Sequence, residues 1–234
     1  MARGLRPYPV IMSETSSAPA APRSPAEALD VLQAGNDRFV TGVVEHPNQD
    51  AARRAALAPS QQPFAVLFGC SDSRLAAEII FDRGLGDMFV VRTAGHVMGP
   101  EVIGSIEYGV EVLGAPLVVV LGHDSCGAVG AARAALDGDM PTGGFIRDVV
   151  ERVTPSVLAA RAAGIEENEA IIEAHIKNTV DLLLDRSHML AERVADGRAA
   201  VVGLYYQLHD GKARLVAQRG LPDAAVAGAG AASA

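Results

Sequence analysis

A chain of 234 residues is long enough for one domain with a full core, and 49% hydrophobic with 21% charged residues is the balance of an ordinary globule. The net charge of −8, with no stretch that concentrates Lys and Arg, excludes a protein built to grip a nucleic-acid backbone. Two cysteines exclude a disulfide-stapled scaffold, and the longest apolar runs fall far short of the roughly 20 residues a membrane helix needs, so the expected address is the cytoplasm.

Residues 1–23, rich in Ala, Pro and Ser, read as a disordered tail; prolines interrupt it before a signal-peptide core can form, and Met12 offers a second start. The globular part is expected over 24–220. It opens with "SPAEALDVLQAGNDRFVTG", a capped helix in which Ser24 is the N-cap, Pro25 the first-turn residue and Glu27 the partner that completes a capping box. Its apolar residues Ala28, Leu29, Leu32 and Phe39 share one stripe. Strands are expected at 64–69 (FAVLFG), 88–92 (MFVVR), 117–121 (LVVVL) and 200–206 (AVVGLYY). Each run is continuously apolar rather than alternating, the pattern of a parallel sheet buried on both faces. Helical stretches separate them at 75–82, 101–113 (Val102, Ile106, Val110 and Leu113 on one face), 127–136, 145–163 and 166–196. A hairpin turn at His209-Asp210-Gly211 would pair the last strand with "KARLV", and residues 221–234 read as a flexible tail. The fold expected is α/β: a single domain with a mostly parallel central sheet of about four strands, room for an antiparallel edge strand, flanking helices and an N-terminal helical arm.

In such sheets ligands bind outside the carboxyl ends of the strands, and both cysteines of this chain lie there. The first strand runs into Cys70-Ser71-Asp72-Ser73-Arg74 and the third into His123-Asp124-Ser125-Cys126. His-x-x-Cys sets two soft ligands close together, and Cys70 can join them from the neighbouring strand. Three N/S ligands with an open fourth position describe a catalytic zinc site rather than a closed structural one, and thiolates with imidazole suit zinc better than magnesium or calcium. The plainer alternative is two buried thiols and a surface histidine. Asp72 and Arg74 are either a helix-capping carboxylate and an exposed cation, or a carboxylate held ionised beside a metal where it can accept a hydrogen bond from water. Gly84–Phe89 begins like a phosphate loop but precedes a strand, and Asp124-Ser125 lacks the flanking glycines of a nucleophile elbow. His46, His96, His175, His188 and His209 read as surface or cap residues.

With these residues in view, the chain resembles the β-class carbonic anhydrases: "CSDSR" at 70–74 and "GHDSCGA" at 122–128 look like that family's two signature motifs, and the similarity runs from about Ser24 to Gly220. The resemblance implies Zn2+ on Cys70, His123 and Cys126, an Asp72–Arg74 dyad, and reversible hydration of carbon dioxide to bicarbonate and a proton by a zinc-bound hydroxide. Gln61 matches the glutamine that bonds substrate from a neighbouring subunit, and Phe89, Ala94, Tyr108 and Gly127 match positions lining a narrow apolar cleft. A homodimer or tetramer is implied, with the helix around 25–41 embracing the second subunit, and no nucleic acid or membrane as partner. One subclass places the aspartate on zinc in a closed state, which makes Asp72 an alternative fourth ligand. Where the family carries an "RNxAN" stretch this chain has Arg92-Thr93-Ala94-Gly95-His96. There is no Trp, and Leu67 stands where that subclass places one beside a regulatory bicarbonate pocket, so the pocket does not carry over. The alternatives are a carbonyl sulfide or carbon disulfide hydrolase on the same fold and a non-enzymatic zinc or thiol-redox protein; neither metal storage nor a thiol switch needs Asp72, Arg74 and Gln61.

Overall fold

Five strands carry the fold: β1 (Ala65–Cys70), β2 (Met88–Thr93), β3 (Leu117–His123), β4 (Ala200–Tyr206) and β5 (Ala213–Arg219). The structure is a computed structural model that describes residues 22–139 and 143–222; the tails expected over 1–23 and 221–234 lie, but for residues 22–23 and 221–222, outside the described residues. Strand order is β2-β1-β3-β4-β5, with the first four parallel and β5 antiparallel to β4. Every residue of β1, β3 and β4 is buried, as continuous apolar runs require when helices cover both sheet faces. Phe68, Leu67, Leu117 and Leu121 are among the fully buried side chains, each worth roughly 1.5–3 kcal/mol by its removal from water. The β2 run has the same composition but is only half-buried, which corrects the expectation that it is covered on both faces. Its apolarity does not reveal that it is an edge strand, flanked by β1 on one side alone.

The chain leaves β1 for β2 on one side and then returns to β3 on the other. β1 and β3 thus flank a topological switch point, where crossovers diverge and leave a crevice at the carboxyl ends. The register pairs Gly69 with Leu121, so Cys70 and His123 both emerge at that end.

Helices follow the expected positions with three differences. α1 (Pro25–Thr41) has the capping box: Glu27 N–H donates to Ser24 Oγ at 3.2 Å and Ser24 N–H to Glu27 Oε2 at 3.2 Å. It packs on its own chain, burying Ala28, Leu29 and Leu32. The buried Asn36 donates to Ile80 O and Gly211 O and accepts from Ala213 N–H. α2 (Ala51–Leu57) was not expected; none of its residues is buried, so it leaves no apolar periodicity to read. α3 (Ala77–Ile80) is shorter than expected, α4 (Pro100–Glu107) ends in a π turn at Tyr108–Val112, and α5 spans Gly127–Leu136. After α6 (Ile146–Ala162), the long helix expected over 166–196 is two, α7 (Asn168–Arg186) and α8 (His188–Ala195), divided at Ser187, whose hydroxyl caps α8 by accepting from Leu190 N–H. α7 lies hard against β3 and β4 because Gly122 and Gly203 lack side chains: a Cβ on either would come within 2.5 and 2.7 Å of Ile176. Among the described residues no helix is long and apolar enough to cross a membrane.

Asp82, just past α3, ties α1 and the 45–46 segment to the sheet. Its carboxylate accepts from Arg38 Nε at 2.6 Å and from the amides of Glu45 and His46 at 3.0 and 2.9 Å. Burial alone would raise its pKa, but the two amides and the guanidinium outweigh that and hold it below the usual carboxylate range. Asp82→Ala should cost about 2 kcal/mol near pH 7, because it strands a half-buried guanidinium and two amides. The folded carboxyl titrates below its unfolded value of about 3.9, so its contribution is present above that pH and lost as pH falls through the folded value. Urea unfolding should show the difference between wild type and variant shrinking in acid.

Candidate metal centre

Cys70 closes β1 and His123 closes β3, while Cys126 is the residue immediately before α5. A reversal of four residues joins the last two. Ser125 turns it with φ of 55°, a left-handed conformation for a side-chain-bearing residue, and two bonds pin Asp124: its N–H donates to Tyr206 O at 3.2 Å and its carboxylate accepts from Leu208 N–H at 2.8 Å. All three side chains are buried, and one sulfur, nitrogen or sulfur atom from each lies within 4.8 Å of the others. His123 Nδ1 is 2.7 Å from Asp124 O, and a carbonyl only accepts, so Nδ1 carries the proton. Nε2 is left as a lone pair facing the centre, with no hydrogen-bond partner of its own.

The electrostatics of the trio fit a soft cation. The two buried thiols pull each other apart, Cys126 drawing the Cys70 thiol down while Cys70 and burial push the Cys126 thiol up. Burial disfavours a charged His123 while the adjacent Cys70 sulfur favours it, with a net upward shift. A cation held by all three would replace those protons, and sulfur with imidazole is the donor set zinc takes.

Asp72 stands at the mouth of this centre, its Oδ2 4.0 Å from His123 Nε2. Arg74 grips it with both arms, Nε to Oδ1 at 2.9 Å and Nη2 to Oδ2 at 2.7 Å, and the Arg74 N–H adds a third bond at 3.0 Å. That guanidinium outweighs partial burial and keeps the carboxyl ionised well below its ordinary range. Both carboxylate oxygens are thus engaged by Arg74 in this structure, and Asp72 is not among the trio. Arg92, which sequence reasoning passed over, clamps the same turn from β2: Nε donates to Cys70 O at 2.9 Å and Nη2 to Asp72 O at 2.5 Å. Its signal lies in the strand pairing, where it sits opposite Gly69.

The cleft residues divide into two groups. Ala94, in the short 3-10 turn after β2, immediately precedes Gly95, whose N–H meets Cys70, and Gly127, first residue of α5, immediately follows Cys126. Gln61, Phe89 and Tyr108 lie elsewhere. Phe89 pairs with Val66 near the start of β1 and its ring lies 6.0 Å from that of Tyr108. That places it four residues before Cys70, about 13 Å along the strand. Gln61 precedes β1 altogether and lines an open surface groove of about 470 Å³ with Leu57, Leu85 and Gly86. A single chain therefore brings the ligands and the dyad together and leaves these three residues at the other end of the strand.

His46, His188 and His209 are exposed as expected. His96 and His175 are not surface or cap residues: both are buried, with ring centroids 4.4 Å apart behind the metal centre. His175 lies on the buried stripe of α7 with Ile171, Ile172, Ile176 and Val180, a periodicity that marks its position as buried, whereas His96 sits in a short turn with no such pattern; the contact joins residues 79 positions apart. Gly95, beside His96, donates its N–H to Cys70 Sγ at 3.3 Å.

A sequence model of the carbonic anhydrase family matches residues 65–213. Carbonic anhydrase 2 of Mycobacterium tuberculosis is 58% identical over 193 residues, which cover 82% of this chain and 93% of that one. Among solved structures, the Coccomyxa β-carbonic anhydrase in complex with acetazolamide superposes with a TM-score of 0.65 at 22% identity, over 85% of this chain and 89% of that one. A tetrameric β-carbonic anhydrase from Sordaria macrospora gives 0.62 at 24% identity, over 69% and 84%; at these identities the two structures speak for the fold. Together with the two motifs meeting at one switch point, these likenesses show that the chain belongs to the carbonic anhydrase family, in its β class.

Proposed function

We propose that the protein is a zinc enzyme that reversibly hydrates carbon dioxide to bicarbonate and a proton. The observation that carries this reading is the buried Cys70–His123–Cys126 cluster, its donor atoms within 4.8 Å of one another, next to a carboxylate held by Arg74. Cys70, His123 and Cys126 would hold the zinc, which supplies an acidified water as nucleophile near neutral pH. The chain's own groups do the rest. Asp72, kept ionised and fixed in direction by Arg74, accepts a hydrogen bond from water entering the centre and aims its lone pair at the substrate carbon. Ala94 and Gly127 present little bulk and no charge, which suits a linear, uncharged molecule. Arg92 holds the carbonyls of Cys70 and Asp72, so ligand and carboxylate keep one relative orientation.

The working unit is a homodimer or a larger assembly of dimers, and Gln61 acts in the site of a second copy, where it orients bicarbonate. Its position beyond the far end of β1, together with Phe89 on the half-exposed edge strand and Tyr108 in the π turn beside it, supports that arrangement. Apolar side chains at 40% exposure or more, among them Leu85, Tyr108 and Val112, are what an interface would cover.

Purified protein should carry about one zinc per chain and hydrate carbon dioxide in stopped flow, and Cys70→Ser should lose most of both. A Cys70→Ser protein that keeps zinc and activity would overturn the ligand assignment. Carbonyl sulfide assayed alongside tests the substrate, since faster turnover of it would replace carbon dioxide in the reading.

The trans role of Gln61 predicts complementation. Chains of Gln61→Ala and His123→Ala, each poorly active alone, should regain about a quarter of wild-type activity after random exchange, because half the dimers are mixed and each has one complete site. Absence of recovery, with exchange verified by mass, would count against a second-copy glutamine.

A further inference from the structure

The turn that reaches over Cys70 is held in an unusual backbone conformation. Gly95 and His96 have consecutive left-handed φ values of 62° and 40°. Gly95 also has no room for a side chain, since a Cβ there would lie 2.6 Å from Ala128 Cβ. Such backbone persists only where the surroundings over-determine it, and one residue from a distant helix does much of that. His175, buried on α7, places Nε2 3.0 Å from Gly95 O and stacks its ring on His96. Its Nδ1 is 2.8 Å from Ser156 Oγ on α6, and Asn178 Nδ2 donates to the same oxygen at 2.9 Å.

The direction of every bond in this chain is fixed. A carbonyl only accepts, so Nε2 must carry the proton it gives to Gly95 O. Burial pushes the His175 pKa down and keeps the ring neutral, so Nδ1 accepts from the Ser156 hydroxyl, whose oxygen accepts from Asn178. The sequence runs Asn178 to Ser156 to His175 to the Gly95 carbonyl, and on the far side of the same glycine the N–H points at Cys70 Sγ at 3.3 Å.

We propose that His175 is a positioning residue that fixes the Gly95 turn so that its N–H stays on the Cys70 sulfur, and thereby sets how much charge that sulfur gives a bound metal. The proposal rests on the reading of Cys70 as a metal ligand. Two thiolates feed a metal more charge than neutral imidazoles do, which weakens its pull on bound water. A hydrogen bond to one sulfur withdraws part of that charge, as partners behind a ligand do in metal sites generally.

Two substitutions separate the donor from the ring. His175→Phe keeps the ring stacked on His96 and removes the donor; His175→Gln removes the ring and keeps a donor at the position of Nε2. In cobalt-substituted protein, His175→Phe should move the thiolate-to-cobalt charge-transfer band to lower energy, because the unbonded sulfur is richer in electrons, and His175→Gln should leave it near wild type. With zinc retained, kcat/KM for carbon dioxide hydration should fall by about tenfold or more in His175→Phe and recover in His175→Gln. Should His175→Phe fail to fold, His175→Asn gives the same reading, since its shorter amide serves Ser156 but cannot reach Gly95. A folded Phe or Asn variant with an unmoved band overturns the proposal. Wild-type protein with no thiolate-to-cobalt band would instead overturn the ligand assignment beneath it.

Discussion

The parallel pairing of β1 with β3 is the constraint on which everything else depends. Both strands are buried along their whole length, their register is held by neighbours on both sides, and their carboxyl ends open on the switch point. A thiol on one end and an imidazole on the other are therefore brought together by two strands that are buried throughout and paired on both sides. A one-residue slip would turn the side chains of a strand to the opposite face, at the cost of its packing. The third ligand needs only a short reversal, pinned by Tyr206 and Leu208, to return Cys126 to the same point.

Around that fixed trio the protein arranges charge. Two thiols and an imidazole converge there, the donor set that a soft cation takes. Arg74 holds the neighbouring Asp72 carboxylate in a two-armed grip, so its charge is balanced where it stands. Arg92 binds main-chain carbonyls instead, so one guanidinium sets the electrostatics of the mouth and the other sets its shape. Behind the ligands, the buried histidine pair gives the fold a second layer of control over the same sulfur.

The placement of Gln61, Phe89 and Tyr108 gives the half-exposed sheet edge a meaning. An edge strand with apolar side chains and unpaired backbone groups is a liability unless something covers it. A second copy placed there would protect the edge and bring polar and aromatic groups to a cleft that one chain leaves unfinished. The same four apolar residues of β2 would then be interior, which is how their composition reads.

What the sequence determined by itself was local or periodic. Continuous apolar runs specify parallel strands, Ser24-Pro25-x-Glu27 specifies a helix start, and His209-Asp210-Gly211 specifies the hairpin, because each is written within a few adjacent residues. The convergence of Cys70 and His123 was legible for the same reason: a thiol or imidazole at the end of an apolar strand needs only the strand to place it. Tertiary structure alone decided what depends on contacts between distant segments. It made β2 an edge, gave α2 a place with no buried face, and folded α1 back on its own sheet through Asn36. It also set Arg92 beneath Cys70 and buried His96 against His175, a contact across 79 positions that no spacing encodes. Burial of a polar side chain is a property of what packs over it, and here that cover, α7 seated on Gly122 and Gly203, exists only once the sheet has formed.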